Sequence, residues 1–299
     1  MKRASASMNA RESRRSMMSG RARESNLKIM KESFIIYGAR GTTPVAGKEF
    51  LKYGGHTTCF CLKTGKGNII IDAGTGIALL EEDKNEVSQP ATLLFTHFHL
   101  DHVMGLPFFK RLYNPESFLR IMADSASAGN WRDALKNLVR PPYWPVKLNK
   151  LPSAIKMQDL PSRTNSIRLH GVSISWCGVS HPQGCLAYRL DTSAGSVAVV
   201  TDHEHSDRKH EQVLRELCAG CDHLIYDAQY LPEEMKAHRG WGHGSWEEGV
   251  ALARAAQAGE LILTHHYCMR EDAEIDRLVK KTRRLFKKSR AAREKMVLF

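Results

Sequence analysis

The stretch Thr96-His97-Phe98-His99-Leu100-Asp101-His102 puts four metal-capable side chains within six residues. It follows an apolar run, Ala91-Thr92-Leu93-Leu94-Phe95, that reads as a buried strand. It precedes Val103-Met104-Gly105-Leu106-Pro107-Phe108-Phe109, which reads as the start of a short helix or turn. The polar side chains therefore belong to a loop held by a rigid strand. His97 and His99 alternate on an extended segment and face one side together. Asp101 and His102 then turn the corner, within reach of a second ion. A His-rich surface loop without metal would not need this order of ligand types behind an apolar strand.

The rest of the chain reads as strands and helices in alternation. Ser33–Tyr37, Cys59–Leu62, Asn68–Asp72, Ala91–Thr96 and Ser117–Ala123 have strand character, and Gly65-Lys66-Gly67 marks a hairpin turn. Ile155–Leu160, Ile167–Cys177, Leu186–Leu190 and Val197–Thr201 read as consecutive strands of a second sheet. His223–Tyr226 and Leu261–Thr264 are further strands. Helical periodicity is expected at Ile77–Glu82, Ser125–Leu138, Asp207–Cys218, Ser245–Ala258 and Glu271–Lys288. Ser245-Trp-Glu-Glu248 matches a capping box, so a helix starts there and its N-terminus is expected to favour an anion. Two sheets with helices outside give an α/β fold, a four-layer αβ/βα sandwich. The Arg140-Pro-Pro-Tyr143-Trp144 stretch is a candidate wall of a substrate cleft.

Charge is uneven. Residues 1–31 carry +7 and residues 280–295 carry +8, out of a total of +12, so the body is slightly acidic. The first 31 residues lack the apolar content to pack and read as a disordered basic leader, with residues 32–299 as one domain. Both basic ends are candidate nucleic-acid contacts, or solvated tails. No apolar run approaches the roughly 20 residues of a membrane span. The seven cysteines, including Cys59/Cys61 on one strand face and Cys218-Ala-Gly-Cys221 at a helix end, read as buried free thiols. Together these point to a cytoplasmic protein, with mitochondrial targeting as the alternative that Glu12 and Glu24 disfavour.

His97-x-His99-x-Asp101-His102 resembles the signature of metallo-β-lactamase-fold hydrolases. Gly38-Ala-Arg-Gly-Thr-Thr-Pro44, Tyr53-Gly-Gly-His-Thr57-Thr-Cys59, Ile71-Asp72-Ala-Gly-Thr-Gly76 and Gly240-Trp-Gly-His243-Gly-Ser245 resemble the cyclic-nucleotide phosphodiesterase branch, a cousin of ribonuclease Z. Three further candidates stand at predicted strand ends: His181, Asp202 and His265. The resemblance assigns His97, His99, His181 and Asp202 to one ion. It assigns Asp101, His102, Asp202 and His265 to another, with Asp202 bridging. Two divalent ions are implied, zinc first and manganese as the alternative. The resemblance makes Asp72 a support for a metal-binding loop. Thr57, His205, Asp227 and Ser245 are expected to support the site or touch substrate. His203 and Glu204 are expected near the site, not as ligands. His56 stands where the related pattern has Asn.

Asp101 and His243 are the expected catalytic residues, His243 as general acid. The implied reaction is attack by a hydroxide shared between two cations, opening a 3′,5′-cyclic nucleotide to a mononucleotide. Ribonuclease Z-like cleavage of tRNA precursors or other nucleic acid is the alternative. Such enzymes commonly insert a long basic arm between the third and fourth metal motifs, whereas His181 and Asp202 here are 21 positions apart. The resemblance also implies a homodimer.

Overall fold

The computed structural model describes residues 32–80, 84–125, 129–205 and 208–299. The expected leader, 1–31, lies outside the described residues, as do Glu82, Asp207 and part of the expected helix that starts at Ser125. Among the described residues, strands β1 (Ser33–Gly38), β2 (Cys59–Thr64), β3 (Gly67–Ile71), β4 (Ala91–Leu94), β5 (Phe118–Ala123) and β6 (Ala154–Asp159) pair in sequence order. Strands β7 (Ser166–Leu169), β8 (Val172–Val179), β9 (Cys185–Asp191), β10 (Ser196–Val200), β11 (His223–Asp227), β12 (Glu260–Thr264) and β13 (Ser289–Ala291) form a second sheet. Strand β14 (Met296–Val297) returns to the free edge of β1, with Ile36 opposite Met296.

Side-chain alternation explains why the sheets stack. Phe60, Leu62, Ile69 and Ile71 share one core with Ile174, Tyr188, Val199 and Ile225 of the second sheet. Their neighbours Cys59, Cys61, Ile70, Leu93 and Ile121 point the other way, into a layer under flanking helices. Ala187, Ala198, Leu224 and Leu261 do the same outside the second sheet. A strand with both faces covered must be apolar on both, and these strands are. The expected four layers are present. Cys59 and Cys61 share a face as expected, and all seven cysteines are free and buried.

The helices are α1 (Lys84–Ser88), α2 (Leu100–Val103), α3 (Trp131–Leu138), α4 (Arg208–Cys218), α5 (Trp246–Ala255) and α6 (Asp272–Leu285). Three expectations are corrected. The β6 strand pairs parallel to β5 in the first sheet, not in the second. The expected helix at Ile77–Glu82 is a 3₁₀ turn over Thr75–Leu79. The last helix stops at Leu285, and the basic stretch 280–295, read as a possible tail, closes that helix, forms β13 and leads into β14. No helix among the described residues is long and apolar enough to cross a membrane.

Pairing direction then places the site. Strands β3 to β6 are parallel, as are β10 to β13. The antiparallel steps from β8 to β9 and from β9 to β10 make β8 run with β10. The C-terminal ends of β8, β10, β11 and β12 therefore share one edge.

Candidate metal centre

Five strand ends supply the polar cluster. His97, His99, Asp101 and His102 follow β4, the last two within the single turn of α2. His181 follows β8, Asp202 follows β10, Asp227 ends β11 and His265 follows β12. Potential ligand atoms of His97, His99 and His181 lie within 4.8 Å of one another, as do those of Asp101, His102 and His265. The sets His97/His102/Asp202 and Asp202/Asp227/His243/His265 meet the same limit. All seven expected ligands are thus brought together. His266 is not among them: neighbours on a strand alternate, and its ring faces the Ala292 carbonyl at 3.0 Å.

Hydrogen bonds fix which nitrogen each imidazole presents. The Nδ1–H of His181 donates to the Gly242 carbonyl at 2.8 Å, leaving Nε2 as a lone pair. His99 has Nε2 at 3.2 Å from Gln183 Oε1, which leaves its Nδ1 bare. These two bare nitrogens stand 3.0 Å apart. The His102 Nδ1–H donates to Asp72 at 2.8 Å, so its Nε2 faces Asp202 Oδ2 at 3.1 Å and His265 Nε2 at 3.4 Å. His265 Nε2 also faces Asp101 at 3.2 Å. His97 Nε2 is buried with no hydrogen-bond partner and lies 3.8 Å from Asp202 Oδ1. Lone pairs and carboxylates aimed at one another repel unless a cation sits among them. The donor set, imidazole with carboxylate, suits zinc or manganese.

Electrostatics agree with that geometry. Burial alone would lower the pKa of His265, but the Asp202 carboxylate and the Asp101 hydrogen bond hold it up to about 9. His102 is likewise raised, burial being outweighed by Asp202, Asp101 and Asp72. Burial would raise Asp202, yet His265, His102 and His97 hold it well below the usual carboxylate range. Without metal, protons on the imidazoles must act as the counter-charge. Burial pushes His181 down to about 4, so that ring stays neutral and free to bind.

Supporting residues hold these groups in place. Asp72 accepts from Thr96 N, Thr96 Oγ1 and His102 Nδ1, each at 2.8 Å. Asp72, Asp202 and His265 all have left-handed backbone, with φ of 60, 55 and 55°. Such a conformation costs roughly 1–3 kcal/mol at a non-glycine residue and turns each side chain sharply off its strand. Thr42 N donates to Asp101 Oδ2 at 2.7 Å. A Cβ on Gly41 would come within 2.3 Å of His265 Nδ1, so only glycine fits there.

His243 stands beside the ligands, its ring stacked on His265 with centroids 5.0 Å apart. Its Nδ1–H donates to Asp227 Oδ2 at 2.9 Å, which leaves Nε2 as the nitrogen not engaged by that carboxylate. Asp227 Oδ1 accepts from Gln229 N at 2.9 Å. Thr57 is fully buried and exchanges hydrogen bonds with Thr75, so it braces the Asp72 loop and does not touch substrate. His205 is a correction. Its ring faces Glu211 at 2.6 Å and the Tyr226 hydroxyl at 2.7 Å, in a group with His203 apart from the ligand cluster.

Ser245 caps α5 as expected, but its N–H and hydroxyl both donate to Glu248. The Glu248 carboxylate already stands at that helix end, which disfavours a second anion there. His56 Nδ1 turns to Glu294 at 2.8 Å. Tyr143 is exposed, while Trp144 packs edge-on against Phe108. Glu204, expected near the site and not as a ligand, supports it: its carboxylate accepts from Gly240 N and Gly242 N at 2.9 Å, while its own N–H bonds the Ser180 carbonyl.

Residues 67–266 match the family model described as a beta-lactamase superfamily domain. The metallo-beta-lactamase fold protein YhfI from Bacillus subtilis superposes with a TM-score of 0.67 at 17% identity, over 89% of this chain and 98% of that one. Human tRNase Z, short form, superposes with a TM-score of 0.64 at 15% identity, over 89% and 98%. A ribonuclease Z from an Exiguobacterium species is 35% identical over 68 residues, 22% of this chain. That match spans only 23% of the relative's own length.

Proposed function

The chain belongs to the beta-lactamase superfamily, and on that footing we propose that it is a metal-dependent phosphodiesterase acting on 3′,5′-cyclic nucleotides. One observation carries the reading. The two oxygens of Asp202 are divided, Oδ1 toward His97 and Oδ2 toward His102 and His265. That division supports a carboxylate that would be shared between two cations.

His97, His99, His181 and Asp202 would hold one ion, and Asp101, His102, Asp202 and His265 the other. Two divalent cations there would neutralise phosphate oxygens and acidify a water to serve as nucleophile at neutral pH. The chain's own residues do the rest. Asp72, Gln183 and the Gly242 carbonyl fix the tautomers and aim of His102, His99 and His181. Asp227 holds the Nδ1 proton of His243, so Nε2 carries the proton given to the leaving ribose oxygen. Hydrolysis then yields a mononucleotide.

A small substrate is favoured by what joins His181 to Asp202. That segment is only the β9–β10 hairpin, with no arm to grip a folded RNA. Ribonuclease Z-like cleavage is the second reading, favoured by the 68-residue match to a ribonuclease Z. A panel of cyclic purine and pyrimidine mononucleotides run beside a tRNA precursor decides between them. Turnover of the cyclic nucleotides is expected; cleavage of RNA alone would give the second reading. Elemental analysis should find two ions per chain in the wild type, and Asp202→Ala should lose turnover and at least one ion. A wild type that stays empty after zinc or manganese is added would sink the dinuclear proposal. We also read the protein as a homodimer, which light scattering at micromolar concentration tests.

A further inference from the structure

The basic stretch 280–295 takes no part in the metal centre. It closes α6, forms β13 and leads into β14. These elements, with Lys52 and Tyr53, wall a cavity of about 590 Å³ that shares no residue with the metal centre. Five cations line it, Lys52, Lys280, Arg283, Arg290 and Arg293, against the single acid Asp276.

The acids nearby are already committed. Asp276 pairs with Lys52 and accepts from the Tyr53 hydroxyl at 2.7 Å. Glu260 takes Nε and Nη2 of Arg290, both at 2.6 Å. Glu294, the one acid of the stretch, is turned away: it accepts from Gly55 N, His56 N and His56 Nδ1 at 2.7–2.9 Å. Among the described residues no carboxylate is within ion-pairing distance of Lys280, Arg283 or Arg293. Arg283 is also anchored, its Nε–H donating to the Ser289 carbonyl at 2.8 Å, which leaves the terminal amino groups of its guanidinium to face a ligand.

We propose that this cavity binds an oligophosphate group. Three uncompensated cations around one small space repel each other, and an anion with several charges a few ångströms apart relieves that repulsion. Guanidinium forks match phosphate oxygens in pairs, and the volume falls inside the roughly 300–1,000 Å³ range of small-ligand pockets. A free nucleoside triphosphate and the 5′-triphosphate end of an RNA both carry this group. The site is independent of whether the metal centre cleaves cyclic nucleotides or RNA.

Calorimetric titration of the metal-loaded protein with inorganic tripolyphosphate tests it. Saturable binding is expected, and the triple variant Lys280→Ala/Arg283→Ala/Arg293→Ala should weaken it about 100-fold, since charge-assisted contacts are individually strong. Heat from tripolyphosphate meeting the bound metals is common to both proteins and cancels. The three side chains are exposed, so the variant should melt like the wild type and retain phosphodiester turnover. Competition by ATP alone assigns the source to free nucleotides. Competition by a short 5′-triphosphorylated RNA, but not its 5′-hydroxyl form, assigns it to RNA ends. Absence of binding, equal binding by the triple variant, or equal displacement by a polyglutamate peptide would overturn the proposal.

Discussion

The two nitrogens of His243 have different jobs. Nδ1–H is held by Asp227 at 2.9 Å, and Nε2 is not engaged by that carboxylate. His243→Ala should therefore lower turnover of cyclic nucleotides about 10²–10⁴-fold with both ions retained. Activity on bis(p-nitrophenyl) phosphate should survive, because nitrophenolate leaves without a proton. Equal losses on both substrates, measured side by side, would remove His243 as the acid. A second residue-scale prediction concerns protons. The folded pKa of His265, about 9, lies above its unfolded value of about 6.5. Its contribution is thus fully present below pH 6.5 or so and lost as pH rises through 9. Asp202 is shifted down, so its contribution is present above its unfolded pKa of about 3.9 and lost as pH falls. Chelator-treated protein should melt highest between these limits and lower at pH 9.5. A melting temperature that climbs steadily from pH 6 to 9.5 without metal would contradict the counter-charge role of the imidazolium protons.

At the scale of elements, loops set the site and one residue ties three of them, through its carboxylate and its backbone N–H. Glu204 joins the end of β10, the Ser180 carbonyl before His181 and the Gly240–Gly242 turn before His243. The Gly242 carbonyl in turn orients His181. Glu204→Ala should weaken metal binding about 10–100-fold, the usual cost of losing an outer support. Glu204→Gln keeps an oxygen acceptor and should spare most of it; competition against a chromophoric chelator measures both. Much of this scale was legible beforehand. Apolar strands followed by His or Asp announced the ligand loops, and Ser245-x-x-Glu248 announced a helix start. Strand partners were not legible: nothing in Ala154–Asp159 says that it pairs with β5. Nor were Ser289-Arg290-Ala291 and Met296-Val297, short edge strands inside a run of charges that masks period-2 alternation. His205 failed for a related reason. Its spacing from Asp202 suggested the cleft, but Glu211, one turn into α4, draws the ring away. That contact depends on how a helix docks, which local sequence does not encode.

Across the whole molecule, the site is a seam. His97, His99, Asp101 and His102 belong to the first sheet, and His181, Asp202 and His265 to the second. An ion held by both groups would leave only when the halves part locally, a step that a chelator would not hasten. Release of zinc should therefore be first order in protein and independent of chelator concentration once the chelator is in excess. Its activation enthalpy should be that of a structural opening, rising steeply with temperature. A rate that grows in proportion to chelator would mean that the ions exchange through the open mouth of the cleft instead. If the opening limits release, the protein's residence time as a loaded enzyme is set by the mechanical coherence of its two sheets, and a substitution deep between them, such as Tyr188→Phe, which frees the Phe95 carbonyl, should shorten that time without touching a ligand.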